Sequence, residues 1–184
     1  MTRMFLLVLM LLAPAAAAQD LSALERPGAV ALMRHAHAPG DGDAGPDGFD
    51  IDDCSTQRTL NAAGRAQARR IGAALREAGI AFDHVWSSRY CRCRETAELL
   101  GLGPVEEVQS LDAFSGDRLQ NPEKTQAVLA RLAALPEGDR ALLVSHQVNL
   151  AALTTRVTEP GEIVVALRDG DGGLEVIDRV QIAP

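Results

Sequence analysis

Arg34 and His35 stand side by side after the apolar run Ala29-Val30-Ala31-Leu32-Met33, and His146 follows a second apolar run, Ala141-Leu142-Leu143-Val144-Ser145. A third run, Phe82 to Trp86, leads into Ser87-Ser88, with Arg89, Arg92 and Arg94 close behind. An arginine presents a rigid fork of donors that matches phosphate oxygens. A histidine near neutral pH is an uncharged nitrogen nucleophile. The chemistry implied is a phosphoryl group held by arginine and attacked by histidine. By itself an Arg-His pair is a weak motif, since many strands end on such residues. Its weight comes from three separate runs that each end in phosphate-compatible groups.

Those groups need elements that bring them to one place. Short apolar runs bounded by breakers (Pro27-Gly28 before the first, Pro39-Gly40 after it) read as buried strands. In an open α/β sheet the ligand crevice lies outside the carboxyl ends of the strands. The clearest helix is Asn61 to Ala78, with Asn61 as N-cap, Ala68, Ile71, Ala74 and Leu75 at helical spacing, and Gly79 as the stop. Further helices are expected over Arg94 to Leu100, over Thr125 to Leu135 with Pro122 as an early helical residue, and over Val148 to Thr155. Val105 to Val108 is a short strand. Glu162 to Leu167 and Leu174 to Val180 flank Asp169-Gly170-Asp171-Gly172-Gly173 and read as a hairpin at the sheet edge. Strands alternating with helices predict an α/β domain, a three-layer α/β/α sandwich with a mostly parallel central sheet.

Residues 38–57 form a long loop rich in Gly, Pro and Asp, including Asp41, Asp43, Asp47, Asp50, Asp52 and Asp53. The spacing lacks the alternating acids and closing Glu of a calcium loop, so a solvated acidic rim is expected.

Composition narrows the function classes. The chain has 184 residues, 47% hydrophobic, and a net charge of -7 with 3% aromatics. Neither a nucleic-acid surface nor an anionic-membrane surface is expected from that balance. Residues 1–18 carry every part of a secretory signal: Arg3, the apolar stretch Met4 to Leu12, and Ala16-Ala17-Ala18 before Gln19. The expectation is therefore a signal peptide followed by one domain over 19–184, periplasmic or secreted, with no stable membrane span after cleavage. Cys54, Cys91 and Cys93 would meet an oxidising compartment. Cys91 and Cys93 are too close to pair easily, so one bridge is expected, from Cys54 to Cys91 or to Cys93.

The sequence resembles the histidine phosphatase superfamily, also called phosphoglycerate-mutase-like. The resemblance rests on Leu32-Met33-Arg34-His35-Ala36, on Leu60-Asn61-Ala62-Ala63-Gly64-Arg65-Ala66-Gln67-Ala68, on Ser87 to Glu98, and on Leu143-Val144-Ser145-His146. These blocks follow the family's order and span roughly residues 29 to 155. The resemblance implies the phosphoglycerate-mutase-like fold. It also implies that His35 is the nucleophile that becomes phosphohistidine and that Arg34 and Arg92 clamp the phosphoryl oxygens. His146 matches the second histidine, which contacts the transferring group. No metal and no cofactor are called for. Arg58, His37 and Gln147 stand where they can contact substrate.

Three departures from the family pattern stand out. Ala36 replaces the usual Gly. Gln147 replaces the Asp that follows the second histidine in the acid-phosphatase branch. In many relatives a Glu after the third strand donates the proton; here Asp112 lies nearest to that place, with Asp117 and Glu107 as weaker candidates. His84 reads as structural, and Arg89 and Arg94 as exposed or ion-paired. The implied substrate is a phosphorylated small molecule, a lipopolysaccharide sugar or a phosphoprotein. Two other readings remain: a phosphate-ester-binding protein without turnover, and a metal-dependent hydrolase using His35 and His37.

Overall fold

The computed structural model describes residues 20–40, 42–43, 48–114 and 121–183. The expected signal segment, Asp41, Asp47 and Asp117 lie outside them. The sheet is built from β1 (Ala29–Arg34), β2 (His84–Ser87), β3 (Val105–Glu107), β4 (Ala141–Ser145), β5 (Ile163–Arg168) and β6 (Leu174–Val180). Its helices are α1 (Ser22–Glu25), α2 (Ala62–Glu77), α3 (Cys91–Leu100), α4 (Pro122–Ala133) and α5 (Gln147–Thr154).

The strand order is β3-β2-β4-β1-β5-β6. The first four strands are mutually parallel, whereas β5 runs antiparallel to β1 and to β6. The sheet is therefore mostly parallel, with a hairpin at one edge as the turn residues require. Asp169 Oδ1 closes that hairpin by accepting from the N–H groups of Asp171 and Gly173.

Strand side chains alternate between two buried faces, which explains the unbroken apolar runs. Ala29, Ala31, Met33, Leu142 and Val144 pack with Leu24 of α1, Ile71 and Leu75 of α2, and Cys93, Ala97 and Leu100 of α3. Val30, Leu32, Trp86, Leu143 and Val164 pack with Val128 and Leu132 of α4 and Leu150 of α5. This makes three layers. Helix α2 lies so close to α3 that a Cβ at Gly72 would come within 2.0 Å of the Leu100 carbonyl oxygen.

Local chemistry sets the helix ends. Asn61 Oδ1 accepts from Gly64 N at 2.8 Å, and Asn121 Oδ1 from Lys124 N at 3.1 Å with Pro122 at the first turn. Helix α3 starts three residues earlier than Arg94, at Cys91. Its start has no side-chain cap, so periodicity and capping rules miss it. Order comes from outside the helix instead: Cys91 is bridged to Cys54, and its N–H is taken by Gln57 Oε1 at 2.9 Å. Of the two pairings considered, Cys54–Cys91 is the one formed, and Cys93 is a buried free thiol. The lead-in before β1 holds a single helical turn anchored by Leu24. Among the described residues no helix is long and apolar enough to cross a membrane.

After β1 the chain passes to α2 on one face of the sheet; after its neighbour β4 it passes to α5 on the other. Connections that leave adjacent parallel strands for opposite faces open a crevice at their carboxyl ends.

Candidate active site

The sheet register delivers the two histidines. Arg34 of β1 pairs with Ser145 of β4, so the next residues, His35 and His146, emerge side by side. Ser87 of β2 pairs with Val144, which brings Ser88 alongside. The imidazole centroids of His35 and His146 lie 5.5 Å apart, edge to face.

Each ring's hydrogen bonds fix its proton. His35 Nδ1 lies 2.8 Å from the Ala36 carbonyl oxygen, which can only accept, so Nδ1 carries the hydrogen. The lone pair is left on Nε2, where Arg92 Nε–H donates at 3.2 Å. Arg92 NH2 donates to His146 Nδ1 at 3.2 Å. His146 therefore carries its hydrogen on Nε2 and donates it to Ser88 Oγ at 2.9 Å. Ser88 in turn donates to Asp112 Oδ1 at 3.1 Å. One guanidinium thus spans both imidazoles, and Tyr90 packs beneath it and against His146.

Burial decides the charge state of both rings. His35 is pushed down to about 3, mainly by burial, against the pull of the Ala36 carbonyl and with help from the charges of Arg92, Arg34 and Arg58. His146 is held well below the ordinary histidine value by burial first, then by Arg92, His35, Arg58 and Lys124. Both imidazoles are neutral at neutral pH, within a cluster of positive side chains. A neutral nucleophile in a positive field suits an anionic substrate.

Arg34 donates through NH1 to the Thr158 carbonyl at 2.6 Å, and its buried Nε–H has no acceptor among the described residues. A phosphoryl oxygen would satisfy it. The Arg58 guanidinium bonds the carbonyl of Gly40 and, at 3.4 Å, that of Ala38; its backbone N–H donates to Asp43 Oδ1 at 2.8 Å. Asp43 Oδ1 also receives Arg92 NH1 at 2.8 Å. The rim of the acidic loop thus reaches the centre of the site.

Asp112 is buried, and both of its oxygens are engaged: Oδ1 by Ser88 and the Arg89 N–H, Oδ2 by the Arg89 side chain. Gln147, at the start of α5, accepts from the N–H and hydroxyl of Thr158. His37 is exposed, and its backbone is tied to Gln67. His84 binds Asp139 at 2.9 Å, away from this cluster, and Arg94 pairs with Glu107. No group of three or more metal-ligating side chains is formed among the described residues. Asp43 and Ser88 are participants that no motif in the sequence marks. Asp43 sits in a loop with no period, and Ser88 reads from the sequence only as the end of a strand.

Solved structures show the same fold. The protein histidine phosphatase SixA complexed with tungstate matches with a TM-score of 0.62 and 21% identity, over 82% of this chain and 95% of that one. The putative phosphohistidine phosphatase SixA from Agrobacterium tumefaciens matches with a TM-score of 0.60 and 23% identity, over 85% and 99%. A phosphoserine phosphatase mutant from Entamoeba histolytica, in complex with phosphoserine, matches with a TM-score of 0.59 and 14% identity, over 82% and 95%. At these identities the likeness speaks for the fold alone. No curated protein matches the sequence. The family model for the histidine phosphatase superfamily (branch 1) matches residues 30–121, which is half of the chain and includes Arg34, His35 and Arg92, and the chain therefore belongs to the histidine phosphatase superfamily.

Proposed function

We propose that this chain is a metal-independent phosphatase that transfers the phosphoryl group of a monoester or phosphoamidate to His35 and then to water. The carrying observation is the fixed tautomer: with its hydrogen held by the Ala36 carbonyl, His35 points a lone pair on Nε2 at the arginine cluster. In the first step Nε2 attacks phosphorus and the leaving group departs. Arg92 and Arg34 bear the charge that builds on the equatorial oxygens. His146 lies on the same guanidinium fork, its Nδ1 accepting from Arg92 NH2, and so holds that fork in place beside His35. In the second step water attacks phosphorus and the bonding pair returns to Nε2.

For substrate we propose a phosphorylated small molecule, a lipopolysaccharide sugar or a phosphoprotein. The structural neighbours, a protein histidine phosphatase and a phosphoserine phosphatase bound to phosphoserine, support that range. For location we propose the periplasm or the cell exterior, supported by the signal-like residues 1–18 and by the Cys54–Cys91 bridge.

Hydrolysis of para-nitrophenyl phosphate in the presence of chelator tests the reading, with wild type and His35→Ala side by side. Activity that survives chelator and disappears in the variant is expected, together with acid-labile phosphate trapped on the wild type alone. Equal activity in both proteins would overturn the assignment of His35.

A further inference from the structure

The reaction above lacks a proton donor for the leaving group. Asp112 sits in the expected segment, but the Ser88 side chain stands between it and His146, and Arg89 binds both of its oxygens. Its carboxylate faces the back of His146, away from His35. Its position suits a group that orients the second histidine through Ser88.

A different carboxylate is joined to His35 through Arg92. Asp43 Oδ1 binds Arg92 NH1 at 2.8 Å, and the same guanidinium donates to His35 Nε2 through Nε at 3.2 Å. Arg92 is 3% exposed in its side chain and Asp43 20%, so the carboxylate lies at the mouth of the site with the arginine beneath it. In-line attack from the buried His35 sends the departing oxygen outward, toward the more exposed side of the site on which Asp43 lies. Asp43 is also held from behind, since the same Oδ1 accepts from the Arg58 N–H. Further along the chain, Cys54 is bridged to Cys91, the residue next to Arg92. Residues 48–58, downstream of Asp43, and the helix that carries Arg92 are thus tied together near the site.

We propose that Asp43 is the general acid and base of this enzyme, an assignment that rests on the phosphatase reading. A phosphoryl group that takes Arg92 comes to lie beside Asp43, within reach of a proton carried on its carboxyl group. In the first step the His35 Nε2 lone pair forms the N–P bond. The P–O bond breaks with its pair on the leaving oxygen, which takes the proton from Asp43. In the second step water attacks phosphorus, its proton passes to the Asp43 carboxylate, and the N–P pair returns to Nε2. Ester dianion and water have then become alcohol and hydrogen phosphate, with Asp43 protonated again.

The test is Asp43→Asn assayed on two esters, para-nitrophenyl phosphate and glycerol phosphate. Asn keeps the shape and the acceptor for the Arg58 N–H, so the loop should hold; a melting curve checks this. General-acid catalysis contributes about 10²–10⁴-fold, and a nitrophenolate needs it least. The expected result is a fall in kcat of about 100-fold or more on the alkyl ester and of only a few-fold on the nitrophenyl ester. The same fall on both esters would overturn the proposal. A rise on both would overturn it as well, and would make Asp43 merely an occupant of Arg92. Asp112→Asn should lower both rates together; if it alone showed the leaving-group dependence, Asp112 would be the acid. A wild type inactive on both esters, and unlabelled at His35, would instead sink the phosphatase reading and this proposal with it.

Discussion

The two neutral histidines make the fold sensitive to mild acid, and the size of the effect can be worked out. An unfolded histidine takes up a proton near pH 6.5, whereas folded His35 does so only at about 3. Between those values the unfolded chain binds more protons, so stability is full above the upper value and is lost as pH falls. From pH 7 to pH 5, one such histidine costs the fold about 2 kcal/mol. That figure hardly changes for any folded-state value below about 4, so it does not depend on the depth of the shift. His146, also held far below the ordinary value, adds a similar amount. The pair should therefore cost about 4 kcal/mol, a large share of the usual 5–15 kcal/mol for a domain. Urea unfolding at pH 7 and pH 5 gives the loss directly, compared between wild type and His146→Asn. The variant should lose about 2 kcal/mol less than wild type over that interval. Equal losses in the two proteins would refute the argument, because the protons taken up would then belong to other groups. Inorganic phosphate should offset part of the wild-type loss, since a bound anion favours the charged imidazoles.

Arg92→Ala should lower kcat/KM on para-nitrophenyl phosphate by at least about 10²–10³-fold, since it removes the one fork that spans both imidazoles. Arg92→Lys should recover little of this, because an ammonium cannot span them; steady-state kinetics on both variants checks the pair. Reducing the Cys54–Cys91 bridge, whose sequence separation is 37, should cost about 4 kcal/mol by the loop-entropy relation, read as a lower urea midpoint in reductant. Gly72→Ala should cost more than about 2 kcal/mol, because its Cβ has no room against Leu100 and two helix backbones must separate; urea unfolding reads this as well.

The sequence shows most clearly those parts whose signal is local. Asn61 with the spacing of Ala68, Ile71 and Leu75 gives α2 to within a residue at each end. The apolar runs give β1 and β4, and with them the placement of His35 and His146 at neighbouring carboxyl ends. The start of α3 was not readable, because its order depends on Gln57 and a disulfide from a distant loop. Asp43 was hidden for the same reason. Nothing in a run of aspartates and glycines marks the one that will meet a buried arginine 49 positions away. Asp112 shows the converse: its place after β3 was legible, but its partners Ser88 and Arg89 were fixed only by the packing of that segment against β2 and β4.

Cys93 lies two residues from the bridged Cys91 and rests against His146, with Sγ 3.5 Å from Nε2. A helix advances by about 100° per residue, so two residues are rather more than half a revolution. Cys91 therefore faces the loop while Cys93 faces inward, and burial pushes the inner thiol up to about 12. Should Cys54 join Cys93 while the chain is still folding, α3 would have to roll by that half revolution, and the intervening Arg92 would be carried away from both imidazoles. The native thiol is too deep and too weakly acidic to correct or to create such an isomer. An isomer that closed on the wrong partner would thus need outside thiol chemistry to escape.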